Sequence, residues 1–387
     1  MSRLVRAAGL SVALGAATVL PGFLIGALAL QMRADMDAGV GAVAAGVTVF
    51  FGAGAVGAGV GGRLAERLGA LRAMQGAVLV TAGCLFAIGG LAGSLLSVFA
   101  LLAVAGLANA VNQPAINLFM ADAVPRDRQG LAFGIKQSAI PGAILVSGLA
   151  LPVLAIPFGW RATFAICGGL VFAVALFARR GDMVRDHAPA EREPPPRVSR
   201  ELLFLAVGAA LAAGGANALS TYLVASAVDA GIAEGTAGLL AALGSGTSLA
   251  VRMWVGARAD RRRDYGYATI VLLLVLGASG YLLMATGAVA AFVAGAVVAF
   301  ALGWGWPGLF NLAVVENHRE APGAATGITQ SGIYVGAAAG PALYGLLSHG
   351  VGYEGAWAVV AGISLAAAVV MAAAGRRDVA VAQRPAN

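Results

Sequence analysis

Twelve long apolar stretches constrain this chain more than any other feature of its sequence. Each is close to the ~20 residues that an α-helix needs to cross a ~30 Å hydrocarbon core. Every backbone N–H and C=O must be satisfied internally in lipid, so the stretches predict helices and not open strands. Only 11% of the 387 residues are charged, which fits an all-α integral membrane protein. The predicted spans are 8–30, 39–61, 73–92, 96–121, 131–156, 162–178, 202–227, 236–256, 265–286, 289–313, 324–348 and 354–374.

The basic residues predict how these spans are oriented. Of the 25 arginines and lysines, 21 fall in the terminal tails or in alternate loops. This asymmetry is the positive-inside pattern, so we expect both termini and the long central loop in the cytoplasm of a bacterial-type inner membrane. The net charge of +7 therefore reports topology, and we expect no nucleic acid partner.

The spans divide into two similar halves. Residues 180–201 are charged, contain three consecutive prolines and read as a cytoplasmic linker, with six spans in 1–179 and six in 202–387. Residues in the halves match at an offset of 194, and at 193 after a one-residue deletion, where GIKQSAIP (134–141) pairs with GITQSGIY (327–334). An ordered series of matches at a nearly constant offset indicates an internal duplication. We therefore expect two pseudo-symmetric six-helix bundles with a substrate site at the interface of the repeats.

The loop after the second span carries a family resemblance. Residues 61–72, GGRLAERLGALR, resemble the signature loop of the major facilitator superfamily, and GARADRRR (256–263) is a second copy. In the first copy Gly62, Arg67 and Gly69 match the motif, and Glu66 stands where aspartate is usual. The resemblance implies that the glycine allows close helix approach and that the acid caps a neighbouring helix end, which holds one closed state. A competing interpretation is that these charges only anchor the loop in the interface.

We group the predicted gating residues from both copies and from the cytoplasmic ends of spans 4 and 10. A carboxylate at a helix N-terminus gains roughly 0.3–1 kcal/mol, enough to bias a two-state equilibrium without freezing it. The group comprises Gly62, Glu66, Arg67, Gly69, Asp122, Gly256, Asp260, Arg261 and Glu316.

Two cations lie inside apolar spans. Lys136, the only lysine in the chain, falls in span 5, and Arg252 falls in span 8. Such a charge costs about 2.5–3.5 kcal/mol on insertion scales and usually faces the bundle interior. Three interpretations remain open: the two cations bind an anionic substrate, they extend to the interface, or they form ion pairs with Asp122 and Glu316. The string RMWVG (252–256) is similar to the span-8 arginine of monocarboxylate and oxalate transporters, which implies contact with a substrate carboxylate; their accompanying aspartate has no counterpart here.

Further polar residues complete the predicted substrate site. Asn109, Asn112, Gln113 and Asn117 share one face of span 4, which predicts either a wall of a water-filled cavity or hydrogen bonds between helices. Pro21, Pro114 and Pro307 mark places where spans 1, 4 and 10 can bend. The predicted substrate-binding residues are Lys136, Arg252, Asn112, Gln113, Asn217, Tyr222, Trp306, Asn311, Gln330 and Tyr334.

These observations favour a secondary transporter that moves a small organic anion by alternating access. A drug or metabolite efflux antiporter is the alternative, and a non-transporting sensor or a membrane enzyme is a remote one. The three histidines fall in loops without a neighbouring set of ligands, so we expect no metal, no cofactor and no enzymatic activity. The expected partners are the lipid bilayer, a small-molecule substrate and a coupling proton or ion, with the protein acting as a monomer.

Overall fold

The computed structural model describes residues 3–123, 135–179, 199–262, 267–318 and 322–382. Within these ranges the secondary structure is helical and contains no strand. The α-helices are α1 (Arg3–Ala27), α2 (Ala29–Asp35), α3 (Val40–Leu68), α4 (Ala70–Gly90), α5 (Leu95–Ala123), α6 (Ala139–Ala150), α7 (Ile156–Arg179), α8 (Arg200–Asp229), α9 (Glu234–Arg262), α10 (Ala268–Met284), α11 (Val289–Val298), α12 (Pro307–Asn317) and α13 (Pro322–Ala382). Two short π-helices, π1 (Leu151–Ala155) and π2 (Ala299–Gly303), adjoin α6 and α11.

The described helices account for twelve membrane spans. Nine segments are long and apolar enough to cross a bilayer by length and composition. Two of them, Ala139–Phe177 and Ala325–Ala374, are long enough for two spans each, and each contains a sharp kink. The shorter apolar helix Ala268–Met284 completes the set. The prediction of an all-α membrane fold with twelve spans is therefore confirmed.

Two glycines form these kinks, at Gly159 (φ 80°, ψ 162°) and Gly352 (φ 71°, ψ 175°). This region of backbone space is essentially closed to residues with a Cβ. The two glycines are 193 positions apart, the offset that relates GIKQSAIP to GITQSGIY. The same backbone device therefore separates the last two spans of each half.

We expect Gly159→Ala and Gly352→Ala each to destabilise the protein by about 1–3 kcal/mol, because the added Cβ makes these backbone angles unfavourable. No described atom lies within 4 Å of a Cβ built at either position, so the cost is conformational and not a clash. Thermal unfolding in detergent measures it. Gly169→Ala is the matched control, since this helical glycine also has open space around it and alanine there should be neutral or stabilising. Equal melting temperatures for all three variants would contradict the expectation.

Close helix contacts in the first half depend on glycines in α3 and α5. A Cβ on Gly61 would clash with the backbone carbonyl of Ala110, and a Cβ on Gly106 would clash with that of Phe50. Small residues of this kind let helix backbones approach in lipid, where packing and not hydrophobic burial holds helices together. Some of the 56 glycines therefore serve these crossings, and others have open space around them.

The chain divides into two compact units. The first comprises Met1–Glu191 and Ser220–Gly246, and the second comprises Arg192–Leu219 and Thr247–Asn387. The first unit therefore includes the end of α8 and the start of α9, which we call the 220–246 segment. This division by contacts differs from the division by sequence duplication, and the predicted domain bounds at 179 and 202 stay predictions.

The prolines differ in their effect on the spans. Pro21 and Pro114 lie inside α1 and α5, which continue through them. Pro307 instead begins α12, after residues 304–306 that belong to no helix. Of the three predicted bends, the described structure interrupts a helix at Pro307.

Candidate functional site

The amides of α5 bond to α1 in the first unit. Thr18 Oγ1 donates to Asn109 Oδ1 at 3.1 Å, and Asn112 Nδ2 donates to Thr18 Oγ1 at 2.8 Å and to the Leu14 carbonyl at 3.1 Å. Thr18, Asn109 and Asn112 are all buried. Gln113 Nε2 extends the network by donating to Asn109 Oδ1 at 3.3 Å. Of the two predicted roles for this polar face, the contacts of Asn109 and Asn112 fit bonding between helices.

The same face is more open at Asn117, toward the C-terminal end of α5, and Lys136 lies there. Lys136 Nζ donates to Asn117 Oδ1 at 2.6 Å. Asn117 is exposed and Lys136 is half-buried. A hydrogen bond to a charged group contributes about 1.5–3 kcal/mol, which offsets much of the cost of placing the ammonium here. The amide is neutral, however, so it does not compensate the charge of the ammonium.

The 220–246 segment packs closely on α6 and α1 within the first unit. A Cβ on Gly238 would lie 2.7 Å from the Gly148 carbonyl oxygen, and a Cβ on Gly148 would lie 2.8 Å from the Gly238 carbonyl oxygen. Ser245 Oγ donates to the Pro141 carbonyl at 2.7 Å. Polar contacts continue on α2, where Gln31 Nε2 lies 3.3 Å from both carboxylate oxygens of Glu234. The predicted site residue Tyr222 is buried in this segment.

Arg252 is held inside the second unit. Its Nε and Nη2 donate to the backbone carbonyl of Trp304 at 2.9 and 2.6 Å. Its guanidinium carbon lies 5.2 Å from the centroid of the Trp304 ring, within cation–π range. Arg252 is only 7% exposed. The guanidinium therefore binds the end of the helical segment that closes at Gly303.

The other predicted substrate residues of the second unit differ in accessibility. Trp306 is fully buried in the apolar cluster of this unit and packs edge-on against Phe310 at 5.4 Å between ring centroids. Asn217 is buried and donates from Nδ2 to the Ala213 carbonyl of its own helix at 2.8 Å. Tyr334 is buried, whereas Asn311 and Gln330 are half-buried. Their roles in substrate binding stay predictions.

The predicted gating residues of the first loop lie at the α3–α4 junction. Glu66 and Arg67 are exposed, and Gly69 joins the two helices with φ 80°. A Cβ on Gly62 would meet no described atom within 4 Å, so the close approach of α3 to α5 belongs to its neighbour Gly61. The gating role of Gly62 stays a prediction.

In the second half Gly256 also has open space around it, and Glu316 is half-buried on α12. The side chains of Asp122, Asp260 and Arg261 lie outside the described part of the structure.

Sequence reasoning missed two groups that organise these sites. Thr18 is the hydroxyl that joins α1 to α5, and the signal available for it was that span 1 contains few polar residues, Ser11 and Thr18 among them. The carbonyl of Trp304 is a backbone atom, so no residue type in the sequence identifies it. The signal available was Pro307, three residues further on. His318, predicted to lie in a loop without a neighbouring set of ligands, has one acidic neighbour in the structure: its Nε2 lies 3.9 Å from Glu201 Oε1.

Comparisons with known proteins agree with this architecture. A family model described as Major Facilitator Superfamily matches residues 8–315 and 205–387. Among solved structures, a bacterial homologue of the human lysosomal transporter Spinster, in an inward-facing and unoccupied conformation, superposes with a TM-score of 0.69. It is 14% identical and the match covers 98% of this chain and 96% of that one.

A second solved structure, a mutant of a peptide transporter in complex with sulfate, superposes with a TM-score of 0.75 at 13% identity. That match covers 96% of this chain and 94% of the other. A search of curated proteins finds no match. At these identities the structural likeness establishes the fold.

The helical spans, the duplicated halves and the polar groups within the spans define a polytopic membrane carrier. The chain belongs to the major facilitator superfamily. It is accordingly a multi-pass secondary transporter that binds small molecules, and not an enzyme.

Proposed function

We propose that this transporter moves a small organic anion, and that Lys136 supplies the positive charge that attracts it. The observation that carries the proposal is the partner of this ammonium. Among the described residues that partner is the neutral amide of Asn117, and no described carboxylate forms an ion pair with Lys136. The cation is thus held in place by a hydrogen bond while its charge remains available.

A carboxylate or phosphate beside Lys136 is strongly attracted by the ammonium group. Two unit charges about 4 Å apart attract by roughly 4 kcal/mol at an effective dielectric constant of about 20. Asn117 fixes the ammonium in the open part of the amide face, and Gln113 lies one turn away on the same helix. The deeper residues Asn109 and Asn112 then act as support, because their bonds hold α1 against α5.

The proposal also covers the orientation of the protein in the membrane and the coupling of transport to an ion gradient. Alternate basic loops support an inner-membrane protein with both termini in the cytoplasm. We propose a monomer in which transport is coupled to a proton or another ion, since secondary transporters draw their energy from such gradients. Efflux of a cationic drug is the competing function, and a fixed positive charge at Lys136 disfavours it.

Transport by proteoliposomes tests the anion proposal. We expect saturable uptake from a panel of labelled mono- and dicarboxylates, and no uptake of sugars or cationic dyes. Lys136→Gln should raise KM or lower uptake at least about tenfold, because it removes the ~4 kcal/mol attraction. Lys136→Arg should retain most of the activity.

Arg33→Gln is the matched control, since it removes a cation from an exposed position on α2, outside the predicted binding and gating residues, and should leave uptake unchanged. Normal anion uptake by Lys136→Gln would show that Lys136 is not the binding charge. Transport of cationic dyes with no anion uptake would replace the proposal with efflux.

A further inference from the structure

The span that contains α12 is interrupted at residues 304–306. Backbone hydrogen bonds end the helical segment that precedes this break. The Trp304 amide donates to the Ala299 carbonyl at 3.1 Å, and the Gly305 amide donates to the Leu302 carbonyl at 3.1 Å. These bonds end π2, and α12 begins at Pro307, which has no N–H to offer to the preceding turn. The carbonyls at such a helix end need partners from elsewhere.

Arg252 is a partner of the Trp304 carbonyl. Two of its donors converge on this oxygen, at 2.9 and 2.6 Å, while the indole ring of the same residue stacks beneath the guanidinium. Ser248 Oγ, one turn earlier on α9, lies 3.4 Å from the same oxygen. Arginine suits this task because its planar fork presents several donors in a fixed geometry.

The first half of the chain provides an internal comparison. Pro114 lies one residue after the position equivalent to Pro307 at the offset of 194, yet α5 runs without interruption from Leu95 to Ala123. The residue equivalent to Arg252 at the offset of 194 is Ala58. Proline is therefore present in both repeats, while the break occurs in the repeat that has the arginine.

The segment beyond the break carries predicted functional residues. The eleven-residue helix α12 holds Asn311, a predicted substrate residue, and Glu316, a predicted gating residue. A change of angle at residues 304–306 would move both together. Few-residue connections of this kind are where hinged segments absorb changes in backbone angle.

We infer that Arg252 is a positioning residue, which fixes α12 at the break by bonding the Trp304 carbonyl, and that α12 swings as a hinged segment when this bond is released. This role differs from direct contact with a substrate and does not depend on which solute is carried. In this role the buried guanidinium binds a backbone carbonyl of its own unit.

Distance measurements between spin labels test the inference without any substrate. Labels at Ser279→Cys on α10 and Asn317→Cys at the end of α12, both exposed, report the position of α12 within the second unit. Cys84 and Cys167 are replaced by alanine. We expect a narrow distance distribution in the parent protein and one about twofold broader or shifted in Arg252→Met, which keeps length but has no donors.

Arg252→Lys should restore much of the narrow distribution because it retains a donor, whereas a role in apolar packing alone would leave Arg252→Met like the parent. Arg258→Gln is the control on the same helix and should match the parent. Should Arg252→Met fail to fold, Arg252→Gln keeps one donor and should give an intermediate width. An unchanged distribution in the folded methionine or glutamine variant would overturn the inference.

Discussion

Gly336→Leu should leave little or no folded protein. The reason lies in a run of three glycines on α13, four residues apart, which faces α8 within the second unit. A Cβ on Gly332, Gly336 or Gly340 would clash with the backbone carbonyl of Ala206, Ala210 or Gly214 respectively. The clashing atoms belong to helix backbone, so no side-chain rotation relieves them.

The cost of this substitution is large relative to total stability. Overpacking a well-packed site costs about 1–3 kcal/mol when side chains can shift, and more when backbone must move. Proteins are stable by only about 5–15 kcal/mol, so separating α8 from α13 removes a substantial fraction. Gly336→Ala should show the same effect in reduced form, as a clear drop in melting temperature.

Size-exclusion chromatography and thermal unfolding of the purified variants measure this effect. Gly362→Leu is the control, because Gly362 lies in α13 beyond the kink at Gly352, is exposed and has no described atom within 4 Å of a Cβ built there. A leucine variant at 336 that elutes and melts like the control would show that α8 and α13 do not approach as closely as described.

Gly238→Leu should give a folded protein in which the 220–246 segment no longer packs on α6. A Cβ at this position would lie 2.7 Å from the Gly148 carbonyl, 3.0 Å from Pro152 Cδ and 3.1 Å from Leu151 Cβ. The contact is local to one end of α9, and the rest of that helix keeps its own bonds, including those of Arg252. We therefore expect displacement of the segment rather than global unfolding.

Labelling of an introduced cysteine measures this displacement without a substrate. Ala242→Cys lies in the segment at 8% exposure, in a background where Cys84 and Cys167 are alanine. Its reaction with a maleimide should accelerate about tenfold or more in Gly238→Leu, because local opening exposes buried sites. Gly246→Leu, which has open space around it, should leave the rate unchanged. Equal rates in both variants would contradict a packed contact between Gly238 and Gly148.

The transport consequence follows from alternating access. A carrier of this class must open and close contacts between helices of different repeats in each cycle. The 220–246 segment belongs to the second repeat by sequence and packs with α6 of the first. Loss of the Gly238 contact should therefore also lower the anion flux described above.

Much of this protein could be predicted from its sequence because lipid restricts the options. Apolar stretches of about 20 residues can satisfy their backbone only as helices, and the duplication between GIKQSAIP and GITQSGIY required two similar halves. The alternation of basic loops predicts orientation by the same physical logic. The polar face of α5 and the two cations within the spans were also visible, since such residues are rare there.

The tertiary structure alone decided what those polar residues contact. Asn112 bonds Thr18 and Arg252 bonds the Trp304 carbonyl, and the sequence specified neither contact. A hydrogen bond depends on ångström distances between elements far apart in sequence, and its acceptor is often a backbone atom that every residue shares. The same limit applies to glycines. Gly61 and Gly62 are consecutive and chemically identical, and only the crossing of α3 over α5 determines that Gly61 lies at the contact.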